Sequence, residues 1–427
     1  MVRKELLRRL DCGELDVLLA PVYGTDTPAA AMRLRELVLE CADTFPTGED
    51  TEMLLFSTPG RTEICGNHTD HQHGHGLAAS VNLDTIACVI PNKSMVIRIK
   101  SRHHRLVEVD LRDLSIHPEE VDHSVSLVRG IAARIAQMGY SMGGFDAYTT
   151  TRVLRGSGLS SSAAFEVLTA TIINHLFCND ELTPVQLAKV GQYAENIYFK
   201  KPCGLMDQLA CSLGGIMDID FRDPDEPVIR RMNVDLESYG HALCIVDTRA
   251  SHSDLTADFA AIPQEMRAVA DCFGREVLVD VDYDQFIHDL AQVRSVCGDR
   301  AALRAYHFFH DDRRAVSARE ALEDGDFSRF LRLVNASGQS SLMYLQNVST
   351  YRESRSQPVL LMLALAGELL DGRGASRVHG GGFAGTIQAF VPLDMLDKFV
   401  QGMEAVAGKG ACHILSFRSC GTTLLVP

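Results

Sequence analysis

Three consecutive serines, Ser160, Ser161 and Ser162, follow Gly156 and Gly158 and lead into an apolar run with helical spacing at Phe165, Leu168, Ile172 and Leu176. Glycine lets backbone N–H groups approach an anion closely, and a helix start adds unpaired N–H groups of its own. The serine hydroxyls can bond phosphate oxygens or a hard cation. The loop Gly156, Ser157, Gly158, Leu159, Ser160, Ser161, Ser162 therefore reads as a phosphate cradle, the bland alternative being a Ser/Gly-rich connector before a core helix. It is not a Walker A loop, which needs a Lys after its second Gly, nor a G-x-S-x-G nucleophile elbow. A second polar loop, between Gly66 and Gly76, carries Asn67, His68, Asp70, His71, His73 and His75. Histidine-rich loops can hold metal. No Cys or carboxylate completes a zinc spacing here, so hydrogen bonding of a polar small molecule by Asn67, His68 and Asp70 is the better reading.

The elements that must hold these loops follow from local pattern. Residues 1–50 read as helical, with Leu34, Leu37, Val38 and Cys41 on one face. Residues 53–91 read as strand, polar loop, strand, and residues 92–111 as a hairpin turned at His103–Arg105. A helix with Val128, Ile131, Ile135 and Met138 on one side spans 124–139. The stretch FDAYTTTRVL is β-rich and feeds the serine loop, giving strand, phosphate loop and helix in succession. A cluster of Gly, Asp and Pro at residues 214–228 marks the best boundary. Beyond it come the buried-strand run HALCIVDT, long helical segments over 255–370, and a β-rich end. Gly380, Gly382 and Gly385 satisfy G-x-G-x-x-G, but the strand TIQAFV follows them, so the dinucleotide fingerprint fails on context. A strand–turn–strand that lets backbone approach a ligand remains.

At 427 residues the chain has room for two domains. Its 46% hydrophobic and 23% charged content is that of a globular protein. A net charge of −15 excludes a nucleic-acid partner of the usual basic kind, and any anionic substrate needs a local basic patch. The start lacks a signal-peptide core, and no apolar run reaches spanning length, so a cytoplasmic protein with no membrane partner is expected. Twelve cysteines without a C-x-x-C pair fit reduced thiols better than disulfides or zinc. The sequence carries no signal for oligomeric state.

Four motifs, in order, resemble the GHMP small-molecule kinases and, within them, the galactokinases. TPGRTEICGNHTDHQHG is similar to the signature P-G-R-V-N-L-I-G-E-H-T-D-Y-N-x-G, and RGSGLSSSAAFEV resembles the Ser-rich phosphate loop. YAENIYFKKPCGLMDQLACSLG resembles the Glu-to-Met-Asp-Gln stretch, and HGGGFAGTI the third motif. The resemblance covers the chain from about residue 54 to its end.

It implies an α/β (α+β) fold of two lobes with the active site in the cleft between them. Residues 1–218 would form the N-terminal lobe with the sugar loop and the phosphate loop, and 219–427 the C-terminal lobe with the third motif. It also implies ATP and Mg²⁺, with phosphate passed to the anomeric hydroxyl of a galacto-configured sugar. Asp207 would take the hydroxyl proton, and Arg61 would neutralise charge on the transferred phosphate. Ser162 and Glu195 would offer hard oxygens to Mg²⁺. The residues from Gly156 to Ser161 would wrap the triphosphate. Asn67, His68, Asp70, Gly204 and Phe259 would contact the sugar, while Lys200 and Lys201 read as a solvated turn.

Two departures fall at the sugar. Asn67 replaces the Glu that in the family bonds the 6-hydroxyl, and Phe259 replaces the Tyr that closes the pocket. The D-H-Q-H-G run leans toward the D-H-Q-G-G of galacturonate kinases. Galactose is therefore the first expectation, and galacturonate or another C6-modified galacto-sugar the alternative. A sensor that binds sugar and ATP without catalysis is the reading from another class. The complete GLSSSAA loop, with Arg61, Glu195 and Asp207 all present, argues against it.

Overall fold

A computed structural model of the chain describes residues 1–153, 158–249, 255–350, 355–383 and 385–426. The first sheet contains β1 (Leu54–Cys65), β2 (His75–Pro91), β3 (Val96–Ser101), β4 (Leu106–Asp110), β5 (Phe145–Thr151), β6 (Ile216–Asp220) and β7 (Val228–Met232). The second contains β8 (His241–Asp247), β9 (Ala375–Val378), β10 (Thr386–Pro392) and β11 (Cys412–Leu415). The last strand, β12 (Thr423–Val426), returns to the first sheet.

In the first sheet the order is β12-β1-β2-β5-β3-β4, and β6 branches from β2 to carry β7. The branching is possible because β2 is 17 residues long. Its residues 85–91 pair with β5 and its residues 75–79 with β6, while β1 runs antiparallel along the other edge. The second sheet has the order β11-β8-β10-β9.

The β-branched and apolar runs of β1 and β2 are buried on both faces, so helices must cover each side. On one face lie α1 (Arg3–Asp11), α2 (Asp16–Tyr23) and α3 (Thr27–Thr44), with Leu34, Leu37, Val38 and Cys41 against Leu55, Ile86 and Cys88. On the other lie α4 (Ser124–Gln137), α5 (Ser161–Phe177) and α6 (Pro184–Tyr193), with Val128, Ile131, Leu168 and Ile172 against Phe56, Val89 and Phe145. The expected helix faces are the ones buried.

After α7 (Met206–Leu213) the chain builds the second half from α8 (Thr256–Asp271), α9 (Tyr283–His288), α10 (Leu290–Cys297), α11 (Asp299–Glu323), α12 (Phe327–Ser340), α13 (Pro358–Leu370) and α14 (Leu396–Ala407). A shared core joins the halves: Ile64, Leu77 and Leu159 pack with Leu243, Ile245, Phe330 and Phe390.

The chain end is tied in by a buried charge. Asp84, fully buried, pairs with Arg33, accepts Ser57 Oγ at 2.5 Å and Tyr23 Oη at 2.8 Å, and lies 3.6 Å from Arg418 Nη1. With arginines on two sides its pKa falls below the ordinary 3.8, although burial alone would raise it. All twelve cysteines carry free thiols, and among the described residues no helix is long and apolar enough to cross a membrane.

Candidate functional site

Arg61 sits on β1, where the β1–β2 register shifts between Pro59 and Arg61 and again between Glu63 and Cys65. Such irregularities re-aim side chains at active sites. Here the guanidinium meets Asp207, in the first turn of α7, in a two-point bond: Nε to Oδ1 at 2.7 Å and Nη2 to Oδ2 at 2.6 Å. Ser160 Oγ donates to Asp207 Oδ2, and Arg61 Nη1 donates to the Gly158 carbonyl. Burial alone would raise the Asp207 pKa, but Arg61 and Ser160 bring it below its ordinary 3.8, so the group is a carboxylate at neutral pH. Three donors leave Oδ1 with one open acceptor position. That is what a base toward a sugar hydroxyl needs.

The serine loop is interlocked with both other motifs. Arg61 N–H donates to the Leu159 carbonyl at 3.1 Å. Gly158 has φ of +68°, and a Cβ there would stand 2.9 Å from His379 Nδ1, so the third motif packs directly on the phosphate loop. Ser160 is the left-handed residue before α5, which begins at Ser161, so Ser161 and Ser162 belong to the first turn of the helix and not to the loop. Leu159 is buried, while Ser160, Ser161 and Ser162 remain partly open. Gly156 and Ser157 lie outside the described residues.

Glu195 is brought to the same place by a π-turn, Ala194–Tyr198, that follows α6; single π-turns recur at functional sites. Its Oε1 accepts Lys201 Nζ at 2.8 Å and its Oε2 accepts Gln208 Nε2 at 3.1 Å. The same Gln208 nitrogen lies 3.0 Å from Oε2 of Glu166, a fully buried carboxyl on α5. Burial and the neighbouring Glu195 push the Glu166 pKa well above 4.5. Lys200 and Lys201 are exposed, as expected of a solvated turn, but Lys201 also has a partner that its KKP context does not announce. Its ammonium is bonded to an inward-facing carboxylate.

Gly158, Ser160, Ser161, Ser162, Glu195, Lys201, Cys203 and Asp207 line one cavity of about 270 Å³. A larger cavity of about 1000 Å³ opens beside it, lined by Ser161, Ser162, Phe165, Phe199, Thr149 and Leu127 among others. The donor set of Ser162 and Glu195 suits Mg²⁺, which takes few protein oxygens and keeps water and phosphate ligands. One Glu195 oxygen is open to it once Lys201 moves aside.

The sugar loop brings one correction. Asn67 is fully buried and spends every polar atom inside the protein. Its Nδ2 donates to Glu63 Oε1 at 2.7 Å and to the Gly380 carbonyl at 2.9 Å, and its Oδ1 accepts from Ser341 at 3.2 Å and Asn347 at 2.8 Å. Its backbone N–H meets Asp311 and its carbonyl meets His307, each at 2.9 Å. Asn67 therefore latches the loop to the third motif and does not face the cleft. Glu63, in turn, stands where the usual signature has Asn, and bonds the fully buried Arg377 at 3.1 Å. Carboxylate and amide have exchanged places four residues apart, a signal that was readable in the motif but was missed.

His68 bonds the Gly381 carbonyl through Nε2 at 3.1 Å and faces His71 through Nδ1 at 3.2 Å. Burial, with His71 beside it, lowers its pKa to about 3, so the ring is neutral. Asp70 accepts the His71 N–H at 2.9 Å and abuts Gly204, where a Cβ would fall 1.6 Å from Oδ2; only glycine fits. Phe259, on α8, packs edge-on against Phe383 at 5.3 Å, and a Cβ at Gly381 would reach its ring at 2.7 Å. Its ring therefore borders the carbonyl that orients His68.

Residues 126–215 match the GHMP kinases N terminal domain, and residues 44–91 match the galactokinase galactose-binding signature. A galactokinase of Streptomyces coelicolor is 29% identical over 381 residues, which span 87% of this chain and 94% of that protein. The crystal structure of Lactococcus lactis galactokinase complexed with galactose has a TM-score of 0.79 at 22% identity, covering 92% of this chain and 100% of that one. Methanococcus jannaschii mevalonate kinase has a TM-score of 0.60 at 13% identity, covering 86% and 98%.

Proposed function

The chain belongs to the GHMP kinases and has their mixed α/β fold, and on that premise we propose that it is an ATP-dependent sugar 1-kinase acting on galactose. The observation that carries this reading is the Arg61–Asp207 pair, whose Asp207 lines one cavity with Ser160, Ser161, Ser162 and Glu195 and lies close to Asp70. We assign the two lobes to about 1–218 and 219–427, with β6 spanning the boundary and β7 and β12 of the second stretch returning to the first sheet.

The triphosphate lies on the serine loop, with the base and ribose in the larger cavity. His68 and Asp70 hold the sugar's hydroxyls so that the anomeric oxygen meets Asp207 Oδ1. The new O–P bond forms as the bond between γ-phosphorus and the β-bridging oxygen breaks, and ADP leaves. The hydroxyl proton passes to Asp207, late, because Arg61 keeps that carboxylate a weak base. Arg61 also faces charge on the transferred group. Ser162 and Glu195 would hold Mg²⁺, which would supply neutralisation of phosphate charge.

ADP release measured over galactose, galacturonate, N-acetylgalactosamine, L-arabinose and fucose tests the reading. The highest kcat/KM is expected with galactose, and no release with any of them would end the proposal. A galacturonate kinase is the second reading. In its favour, the carboxylate of Glu63 is neutralised by buried Arg377 and does not repel a 6-carboxylate. Arg267 also lies close enough to help depress the His71 pKa, after burial.

Glu195→Gln is expected to raise the Mg²⁺ concentration for half-maximal rate at least about tenfold, since even outer-shell partners are worth about 10–100-fold in metal affinity. The sugar KM should move less. An unchanged Mg²⁺ requirement would return Glu195 to a structural role.

A further inference from the structure

We propose that Lys201 is a catalytic residue of this site, held on Glu195 in the empty enzyme and turned onto the transferred phosphoryl group when nucleotide binds. The inference rests on the phosphotransfer reading above and adds a residue to it.

The geometry is a buried anchor with an exposed partner. The Glu195 side chain is 4% exposed and that of Lys201 60%, across a 2.8 Å contact. Lys200 takes a φ of +68°, which turns the chain back over the π-turn, and the Lys201 N–H then bonds the Glu195 carbonyl at 3.1 Å. Pro202 follows and restricts the backbone further. Main chain and side chain are thus both referred to Glu195, while a four-carbon stem lets the ammonium swing.

Charge decides what that swing does. A surface ion pair in water contributes little. This pair, however, shares its cavity with Gly158, with Ser160, Ser161 and Ser162, and with Asp207. Arg61 already neutralises Asp207. Without Lys201, Glu195 would face an incoming triphosphate as an unpaired, desolvated carboxylate, and like charges at such a site cost several kcal/mol. Once a divalent ion is loaded on Glu195, two cations compete for one carboxylate. The ammonium then has the phosphate oxygens as its nearest anions. In the transfer step its N–H groups donate to the non-bridging γ-oxygens, and no proton leaves it. Its charge is spent where charge develops between the anomeric and bridging oxygens.

Lys201→Met in the full chain separates this from a solvated turn. Its kcat with MgATP and the preferred sugar should fall about 10²-fold, the scale set by loss of one preorganised donor. Mn²⁺ binding without nucleotide, followed by electron paramagnetic resonance, should tighten several-fold because the competing ammonium is gone. Lys201→Arg, which keeps the charge, should recover most of the rate. Lys201→Gln, which retains polarity, should behave like Met, and circular dichroism checks that all three variants are folded. A kcat for Lys201→Met within threefold of wild type, or unchanged Mn²⁺ affinity, overturns the proposal. If wild type releases no ADP with any sugar, the phosphotransfer reading falls and the role of Lys201 with it. An active wild type with an equally active Lys201→Met removes Lys201 alone.

Discussion

Asp207→Asn is expected to lower kcat by about 10²–10⁴-fold, the usual worth of a positioned general base, while sugar binding changes only a few-fold. Asparagine keeps the shape of the side chain. It can still accept Arg61 Nε at one oxygen, but its amide nitrogen faces Arg61 Nη2, donor to donor, where the carboxylate had a 2.6 Å bond. Both the proton acceptor and the counter-charge of a 6% exposed guanidinium are lost. Thermal melting distinguishes the two effects, since a folded variant that binds sugar by calorimetry but does not turn over has lost chemistry only. Retention of more than about a tenth of the rate would remove Asp207 from the role of base. Deleting Arg61 does not substitute for this experiment, because a lone Asp207 beside Asp70 would also regain a higher pKa.

Asn67→Glu is expected to destabilise the protein by about 3–5 kcal/mol, the range for an uncompensated buried charge. It should also reduce kcat/KM equally for galactose and galacturonate. The new carboxylate would lie against Glu63 Oε1, now 2.7 Å from the amide nitrogen, and against the Gly380 carbonyl. Both are acceptors, and the site has no space open to water. Glu63→Asn alone should be costly for the opposite reason, leaving Arg377 buried without its carboxylate. The double exchange Glu63→Asn with Asn67→Glu restores one carboxylate, one amide and one arginine. It should be more stable than either single variant, a coupling readable from a urea double-mutant cycle. A stable Asn67→Glu protein that discriminates against galacturonate would mean that residue 67 faces carbon 6 of the sugar after all.

Local pattern was enough for much of this molecule. The 3.6-residue period of α3, α4 and α5 and the continuous apolar runs of the long strands are properties of neighbours in sequence, so the helices over the first sheet were legible. So was the strand–loop–helix unit around Ser160–Ser162, because glycine and serine requirements at a helix start are local too. The order of four motifs carried the family, and with it the naming of Arg61, Glu195 and Asp207. The meeting of Glu195 and Asp207 in one cavity, with Arg61 bonded to Asp207 behind it, is a tertiary fact.

What pattern could not decide was the direction of side chains in segments that have no period. The loop after β1 is neither helix nor strand, so nothing in its spacing tells whether residue 67 looks into the cleft or away from it. Its partners come from positions 313, 274 and 280 residues distant, and a one-dimensional string does not rank such contacts. Lys201 is exposed as read, but its ion pair was not legible for the same reason. Its partner lies six residues back across a π-turn that no apolar spacing announces. The return of β12 to pair Val426 with Leu55 also depended on closure of the whole chain. Residue type and local period determined the elements and the chemistry available in them. Long-range closure, driven by burial of faces that neighbours in sequence cannot cover, decided which polar groups meet in the cleft and which are spent holding it together.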